Sequence, residues 1–257
     1  MALPAEVGNR HTLSASPEAH CADPGDTGVL VVFPTVDFRS DPEPAQDRIQ
    51  ETALSTGLYP YVKYAIDLVA ASILFILALP VFALIAVAVA SSSRGGTIFR
   101  QTRVGKDMEP FQCLKFRTMV PDAEAILQRD PELARIHALN WKLDNDPRVT
   151  PIGKFLRKTS LDELPQLVNV INGEMSLIGP RPVQYKEIDE QYQHHAATVF
   201  SVRPGVTGLW QVSGRSTTTY DTRVALDCEY VNQMSLASDM VILSKTLLVV
   251  ARGTGAH

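Results

Sequence analysis

The sequence predicts an α+β, membrane-associated protein in which an apolar helical element precedes a small domain of helices with a few short strands. Two observations support this fold class. Residues 68–93 contain no ionisable side chain, which is typical of a membrane element. Behind them, short segments of strand composition alternate with longer segments of helical periodicity. We therefore expect a tail over residues 1–57, a membrane element over 58–94 and one domain over 95–257.

The tail differs from the rest of the chain in charge and composition. Residues 1–62 hold nine Asp/Glu and three Arg, whereas residues 63–257 hold 21 basic and 19 acidic side chains. The tail is also rich in proline, so we expect it to be poorly structured, with Gly28–Val36 as a short strand or docking segment. Its acidity argues against nucleic acid as a partner. The more basic body leaves anionic ligands and an anionic membrane surface open.

The cysteines and histidines predict neither a disulfide framework nor a zinc site. Cys21, Cys113 and Cys228 lie far apart and form no C-x-x-C pair, which is typical of a reducing compartment. No two histidines have an H-x-x-x-H spacing, and we interpret the neighbours His194 and His195 as surface residues. We also expect no secretory signal peptide, because the start of the tail lacks an apolar core.

The apolar run is long enough to cross a bilayer, yet Pro80 lies near its midpoint. As a straight helix it measures roughly 39 Å, against about 30 Å for a hydrocarbon core. Proline lacks the N–H and clashes with the preceding turn, so it predicts a kink between halves of roughly 18 Å. Length favours a spanning helix, whereas the proline favours a re-entrant hairpin. In both cases the basic residues behind the run place the next segments on the cytoplasmic side: Arg94, Arg100, Arg103 and Lys106.

Two strands joined by a polar turn are predicted directly behind the membrane element. Thr97–Gly105 and Phe111–Met119 have strand composition, and Lys106–Pro110 forms the turn. Lys115 and Arg117 lie two residues apart, so they project from the same face of the second strand. Taken alone, this spacing is more typical of a solvated strand face than of a binding site.

The remaining segments are predicted to be helices and turns. Helices are expected over the following ranges, the first interrupted at Pro131: Pro121–Asn140, Ile152–Lys158, Val183–Val199, Asp221–Gln233 and Leu236–Arg252. Asp144–Thr150 is a predicted turn, and the glycine-punctuated loop Arg203–Gln211 is expected to pass into a strand. The last helix is apolar nearly all round over Thr246–Ala251, so we expect it to pack on the core with some contact to the membrane interface.

The stretch from Thr159 to Pro182, TSLDELPQLVNVINGEMSLIGPRP, concentrates the residues that can carry chemistry. Asp162 and Glu163 are adjacent carboxylates. Ser160 and Glu163 fit a capping box, but a helix capped by Ser160 holds Pro165 beyond the first turn, where proline is disfavoured. A helix that begins at Asp162 avoids this conflict and leaves both carboxylates exposed at its N-terminal end, where they do not act as caps. The local pattern leaves a helix cap and a metal-assisted phosphate site as alternatives.

Several separated motifs resemble one known family. They are the apolar run with its central proline, LKFRTM, DNDPRVTPIGKFLRKTSLDELPQL, NVINGEMSLIGPRP and RPGVTGLWQVSGR. In this order, from about Tyr59 to Val250, they resemble the bacterial sugar transferases, the monotopic polyprenyl-phosphate phosphoglycosyl transferases. Within that family the chain is similar to the short exopolysaccharide-initiating hexose-1-phosphate transferases. Residues 1–57 lie outside the resemblance.

The resemblance implies a reaction and a topology. A UDP-sugar, with galactose or glucose favoured, gives its sugar-1-phosphate to undecaprenyl phosphate, and UMP is released. A re-entrant hairpin, kinked at Pro80, lies in the membrane lipid and holds the catalytic domain at the cytoplasmic face of the bacterial inner membrane. The resemblance assigns no residue to recognition of the sugar, and it leaves the oligomeric state open.

The resemblance also implies roles for individual residues. Asp162 matches the nucleophile that forms a covalent phosphosugar intermediate, and Glu163 matches its partner at a Mg²⁺ centre. Basic positions that would hold phosphates, and the two prolines that shape the loop around the last of them, are Lys115, Arg157, Arg181, Pro180 and Pro182. Donor, nucleophile and acceptor are all anionic, so Mg²⁺ and fixed cations would offset their repulsion.

Two other functions fit parts of the pattern. A glycosidase needs its carboxylates about 5 Å or more apart across the sugar, and two successive residues are badly arranged for that. A membrane-anchored, non-catalytic scaffold of polysaccharide assembly, in which the carboxylates only cap a helix, stays as the alternative. It predicts no UMP release from any UDP-sugar.

Overall fold

A computed structural model describes residues 57–252 apart from residues 93, 141–142, 144–145 and 215–217. The tail predicted over residues 1–57, with the segment Gly28–Val36, lies outside the described residues except for Gly57. Helices and short strands alternate through the described part, which confirms the predicted mixed architecture.

The apolar run forms one long α-helix, α1 (Tyr59–Ser92), which continues through Pro80. By length and composition it is the one helix in the described part of the chain that could cross a membrane. Its buried residues are Asp67, Ala71, Ile85 and Val89, and their helical spacing places them on one face. Large apolar side chains are exposed elsewhere on the helix, among them Val69, Ile73, Ile76, Leu77, Leu84 and Val87. The two halves predicted for a hairpin are therefore parts of a single helical element.

The predicted pair of strands is confirmed as an antiparallel hairpin. β1 (Ile98–Val104) pairs with β2 (Pro110–Phe116), and Phe99 lies opposite Lys115. The turn contains a 3₁₀ segment, Lys106–Met108. The second strand ends three residues before the predicted Met119, which instead forms an isolated bridge with Val149. Arg117 thus lies beyond the strand.

Nine helices follow the hairpin in the described residues: α2 (Ala123–Arg129), α3 (Pro131–Asn140), α4 (Pro151–Thr159), α5 (Gln166–Ile171), α6 (Tyr185–Glu187), α7 (Ala196–Val199), α8 (Leu209–Val212), α9 (Tyr220–Asn232) and α10 (Leu236–Arg252). The predicted interruption at Pro131 and the helices at α4, α9 and α10 are confirmed. Prolines begin α3 and α4, where a missing N–H costs no helical hydrogen bond. Thr150 caps α4 by accepting from the backbone N–H of Gly153 at 3.0 Å.

A second, parallel pair of strands joins two glycine-containing segments. β3 (Ser176–Ile178) pairs with β4 (Gly205–Thr207). A Cβ on Gly205 would lie 2.1 Å from the backbone nitrogen of Gly179, so only glycine allows this approach. Gly205 N–H donates to the carbonyl of Pro180 at 2.7 Å, and Gly179 N–H donates to the carbonyl of Thr207 at 2.9 Å. The segment 179–182 is thereby fixed beside the loop that begins at residue 203.

Two predicted elements are wrong in detail. Val183–Val199 is not one regular helix: a π-helical turn and a 3₁₀ turn separate α6 from α7, and Gln193 between them has φ 43°. The buried side chains of this segment lie five, four, four and three residues apart, a spacing that tolerates the irregular turns: Val183, Ile188, Tyr192, Ala196 and Val199. The loop Arg203–Gln211 does not pass into a strand, because β4 lies within it and the helix α8 follows.

The last helix packs on the domain and on α1. Ile242 of α10 is buried, and Asp239 forms an ion pair with Lys63 of α1 at 2.7 Å. Tyr230 of α9 donates to the same Asp239 carboxylate at 2.9 Å. Asp67 of α1 accepts from the Ser176 hydroxyl of β3 at 2.6 Å. These buried polar contacts tie α1 and α10 to the strand that leads into the segment 179–182.

Candidate functional site

The adjacent carboxylates lie in a 3₁₀ turn, Leu161–Glu163, between α4 and α5. The predicted capping box is wrong: Ser160 is the left-handed C-cap of α4, with φ 57°, and its side chain makes no cap hydrogen bond. A helix that begins at Asp162 is also wrong, since α5 begins at Gln166 with Pro165 as its N-cap. Leu164 ends the 3₁₀ turn by donating its backbone N–H to the Leu161 carbonyl, and Pro165 precedes the helix, so neither carboxylate serves as a helix cap.

Glu163 forms ion pairs with two of the predicted basic residues. Its Oε1 lies 2.6 Å from Lys115 Nζ and 3.5 Å from Arg181 Nη1, and its side chain is 20% exposed. Burial by itself would raise the pKa of Glu163. The charges of Lys115 and Arg181 outweigh it and lower the pKa to about 2. Glu163 is therefore ionised at any physiological pH and holds the two cations together.

Asp162 lies in a different electrostatic environment. Burial raises its pKa, and the neighbouring charge of Glu163 raises it further. Lys115 and Arg157 lower it in part, and the pKa is about 6. In the described part of the chain the Asp162 side chain has no hydrogen bond and no ion pair within 4 Å. A partly desolvated carboxylate without a partner, ionised near neutral pH, has the properties of a nucleophile.

Arg157 reaches the same region from α4. Its Nε donates to the Thr118 hydroxyl at 3.0 Å, and α4 packs so closely that a Cβ on Gly153 would lie 2.0 Å from the Thr118 carbonyl oxygen. Its charge acts on Asp162. The shared strand face predicted for Lys115 and Arg117 is not observed, because the Arg117 guanidinium packs over Gly95 while Lys115 reaches Glu163.

Pro180 and Pro182 flank Arg181 in the segment held by β3 and β4. Both prolines are buried, whereas the Arg181 side chain is 29% exposed and lies 5.7 Å above the ring of Trp210. The structure thus brings the predicted side chains Lys115, Glu163 and Arg181 together around one pocket. Asp162 borders this group through the chain but does not line the pocket itself.

Among the lining residues that sequence reasoning did not select, two have polar side chains, Arg103 and Gln166. Arg103 of β1 donates to Glu187 at 3.0 Å and to the Pro182 carbonyl at 3.3 Å. Gln166, the first residue of α5, is 2% exposed and faces the same pocket. Arg103 is one of several basic residues that follow α1, and nothing in its spacing distinguishes it. Gln166 follows the DELP motif, which is the one sequence signal that could have selected it.

The carboxylates can be tested as ligands for the expected Mg²⁺. Among the described residues, no group of three or more His, Cys, Asp or Glu side chains is arranged to hold a metal ion. Mg²⁺ is commonly bound by one or two carboxylates together with substrate phosphates and water. Asp162 fits that donor set, since it makes no contact that would compete for the metal, whereas Glu163 would have to share its carboxylate with Lys115 and Arg181.

The sequence motifs and the geometry of this site can be compared with known proteins. Residues 58–253 match the sequence model of the bacterial sugar transferases. The chain belongs to the bacterial sugar transferase family. This sugar transferase is 42% identical over 212 residues to the exopolysaccharide production protein ExoY of Rhizobium meliloti (strain 1021), a match that covers 81% of this chain and 93% of that protein.

Longer members of the family are similar over their shared part. The sugar transferase is 42% identical over 201 residues to the undecaprenyl-phosphate galactose phosphotransferase of Salmonella typhimurium (strain LT2). It is 39% identical over 210 residues to the UDP-glucose:undecaprenyl-phosphate glucose-1-phosphate transferase of Escherichia coli (strain K12). Each match covers 77% of this chain but 42% of the relative, so this chain spans less than half of their length.

Proposed function

We propose that the protein transfers hexose-1-phosphate from a UDP-sugar, with galactose or glucose as the hexose, to undecaprenyl phosphate. The products are undecaprenyl-diphosphate-sugar and UMP, and the reaction is the first membrane step of exopolysaccharide or capsule synthesis. The observation that carries the proposal is the unpartnered Asp162 carboxylate beside the Glu163–Lys115–Arg181 ion pairs. The names of the relatives agree with this substrate class.

The proposed reaction has two balanced steps. In the first, a carboxylate oxygen of Asp162 attacks the phosphorus that carries the sugar, and the bond from that phosphorus to the bridging oxygen breaks, so UMP leaves with the bond's electron pair. In the second, an oxygen of undecaprenyl phosphate attacks the same phosphorus, and the Asp162 carboxylate is released. Two steps allow the donor and acceptor phosphates to use one centre in turn.

The basic side chains would stabilise the charge that accumulates in both steps. Lys115 and Arg181 are already held at the pocket by Glu163, so little reorganisation is needed when a phosphate arrives. Arg157 is fixed by Thr118 on the Asp162 side. We propose that Asp162 and Glu163 would hold Mg²⁺, which would supply further neutralisation of the phosphate oxygens.

We further propose that α1 is a re-entrant membrane element and that the domain lies at the cytoplasmic face of the inner membrane. The support is that one face of α1 packs on the same domain along most of its length. Near its start, Asp67 accepts a hydrogen bond from Ser176 of β3. Near its end, Val89 packs with Phe116 and Leu156. These positions are roughly 33 Å apart along a straight helix, about the thickness of a hydrocarbon core. A spanning helix would draw the charged domain into the lipid, which is costly.

The test is a UMP-release assay with a panel of UDP-sugars, undecaprenyl phosphate and Mg²⁺. The wild-type protein should release UMP with UDP-galactose or UDP-glucose. Asp162→Asn should abolish release while the protein stays folded, whereas Asp221→Asn, the same change at an exposed position of α9, should leave the rate unchanged. An active Asp162→Asn protein would refute the nucleophile. A wild-type protein that releases no UMP from any UDP-sugar would instead support the non-catalytic scaffold.

A further inference from the structure

The pocket beside Glu163 contains a buried amide for which the proposed chemistry gives no role. Gln166 lines the pocket together with Lys115, Glu163 and Arg181 and is 2% exposed. In the part of the chain that the structure describes, its side chain makes no hydrogen bond. Neither amide atom is among the fully buried, unpaired side-chain atoms of the described residues, so the amide keeps access to the pocket. The fold thus presents an unpaired amide to the pocket where a leucine or methionine could offer no hydrogen bond.

The neighbouring polar groups are already committed to other partners. Lys115 and Arg181 are ion-paired with Glu163. Arg103 donates through Nε and Nη2 to Gln101, and through Nη1 to Glu187 and the Pro182 carbonyl, so four of its contacts are taken. The Gln166 amide therefore brings unused hydrogen-bonding capacity into a pocket lined by three cations and one carboxylate. An excess of positive charge favours an anionic ligand.

We propose that Gln166 is a substrate-binding residue whose Nε2–H donates a hydrogen bond to a non-bridging phosphoryl oxygen. The inference deepens the proposed function and rests on it. Lys115 and Arg181 attract the phosphate by charge, and an amide N–H would add a directional hydrogen bond to one of its oxygens. A further cation at this position would instead pair with Glu163. The phosphoryl group can belong to the UDP-sugar or to undecaprenyl phosphate, because both must reach the same centre.

The test compares Gln166→Met, which keeps the length but removes the amide, with Gln166→Glu, which keeps the shape but adds a negative charge. We expect kcat/KM for UMP release to fall about tenfold in the Met variant, the loss expected for one hydrogen bond to an anion. The Glu variant should fall further, to about a hundredth of wild type, because its carboxylate repels the phosphate. A mere packing role would instead make the isosteric Glu variant the milder of the two.

Gln112 supplies the matched control. It is an exposed glutamine on β2 that bonds to Thr102, so Gln112→Met and Gln112→Glu should keep wild-type kcat/KM. A second measurement avoids turnover: in an Asp162→Asn background, Gln166→Met should weaken UDP-sugar binding about tenfold if the donor phosphate is the ligand. Unchanged donor affinity in that background, together with slower transfer to undecaprenyl phosphate by the single variant Gln166→Met, assigns the contact to the acceptor.

The proposal is overturned if both Gln166 variants match the Gln112 controls in donor affinity and in kcat/KM. It is also overturned if Gln166→Met is more impaired than Gln166→Glu. Failure of the proposed function is a separate result, since the wild-type protein itself would then release no UMP. Thermal unfolding of each variant identifies any loss that comes from misfolding, and in that case the donor affinity of the isosteric Glu variant decides.

Discussion

At the scale of single residues, the site separates the acidities of two adjacent carboxylates. Both are partly buried, and burial raises the pKa of each. Glu163 contacts Lys115 and Arg181 directly, so its pKa is about 2, whereas Asp162 contacts neither and has a pKa of about 6. Neighbours in sequence thus take different roles, one as a permanent anion that orders cations and one as a group poised near neutrality.

The first prediction concerns the pH dependence of the first half-reaction. With UDP-sugar alone, the rate of phosphosugar formation on the protein should rise with pH through a midpoint near 6, because only ionised Asp162 can attack. Rapid-quench measurement of the UMP burst from about pH 5 to 8 reads this midpoint. Glu163→Gln should move it to lower pH, since the Glu163 charge raises the Asp162 pKa. A rate that is constant across this range would contradict the assignment.

The second prediction concerns stability. The pKa of Asp162 is raised from 3.8 to about 6, so its contribution to folding falls as pH rises from 3.8 and is least favourable above 6. Asp162→Asn should therefore stabilise the protein at about pH 8, by at most ~3 kcal/mol. The gain should shrink as pH falls through 6 and vanish near 4. Thermal unfolding in detergent measures this gain, with Asp221→Asn as the exposed control. An Asp162→Asn protein that is less stable than wild type at pH 8 would contradict the raised pKa of Asp162.

At the scale of elements, short contacts to glycine and asparagine fix the strands and helices that carry the site. Asn169 of α5 accepts from the backbone N–H of Leu114 at 3.0 Å and donates to the carbonyl of Gln112 at 2.8 Å. The Asn169 side chain thereby satisfies the two backbone groups of β2 that flank Cys113, the Gln112 carbonyl and the Leu114 N–H. Lys115 directly follows Leu114, so the hydrogen bond from Leu114 to Asn169 fixes the backbone that places the Lys115 ammonium beside Glu163.

The third prediction follows from this contact. Asn169→Asp replaces a buried donor with a carboxylate that faces the Gln112 carbonyl and Glu174, which Asn169 also contacts at 2.7 Å. We expect a loss of about 3 kcal/mol in the free energy of unfolding, with a parallel loss of UMP release. Asn172→Asp, the same change at an exposed position, should be nearly neutral. Comparable thermal midpoints for the two variants would show that the β2 edge does not depend on Asn169.

The fourth prediction concerns the contact of α4 with the end of β2. A methyl group at Gly153 would lie 2.0 Å from the Thr118 carbonyl, so Gly153→Ala must push α4 outwards and carry Arg157 with it. We expect a loss of about 1–3 kcal/mol in stability and a larger loss of activity. Gly96→Ala is the matched control, because the nearest atoms to its Cβ would be 3.9 Å away. Equal activity of the two variants would remove Arg157 from the site.

At the scale of the whole molecule, α1 and the domain form one body with an apolar exterior along the helix. Clusters on both sides of Pro80 pack on the domain: Phe75 joins Leu167 and Val170, and Phe82 lies 5.1 Å from Phe116 between ring centroids. The exposed apolar side chains of α1 and those of α10, among them Met240, Leu247 and Leu248, then need a non-aqueous environment. The re-entrant element within one leaflet that we propose for α1 would satisfy both requirements.

The fifth prediction tests this arrangement through the two ends of α1. Cys21 precedes the helix, and Ser213→Cys adds an exposed thiol on the domain behind it. A membrane-impermeant thiol reagent should label neither site in intact cells and both after lysis, as read by mass spectrometry of the purified protein. A spanning helix places the two thiols on opposite sides, so labelling of one of them in intact cells would contradict the re-entrant topology.

The sequence by itself determined the order of the elements and the residue types of the site. The apolar run, the strand pair, the basic helix α4 and the last two helices are encoded by local periodicity and by prolines, which act over a few residues. The motifs around Asp162 and Arg181 likewise selected the side chains that the fold brings together at Glu163. These features can be predicted from the sequence because each depends on residues that are close together in the chain.

Only the tertiary structure decided which carboxylate is ion-paired, where α5 begins and which additional residues face the pocket. The local sequence allows Ser160 to be an N-cap. In the structure α4 extends to Thr159, so Ser160 is instead the left-handed C-cap of that helix. Arg103 lies on β1 and Gln166 on α5, and both line the pocket. The spacing of residues in the sequence does not predict that these two elements meet there. Long-range contacts set burial and charge separation, and these in turn set pKa and hydrogen-bond capacity, so the chemistry of the site is a property of the folded chain.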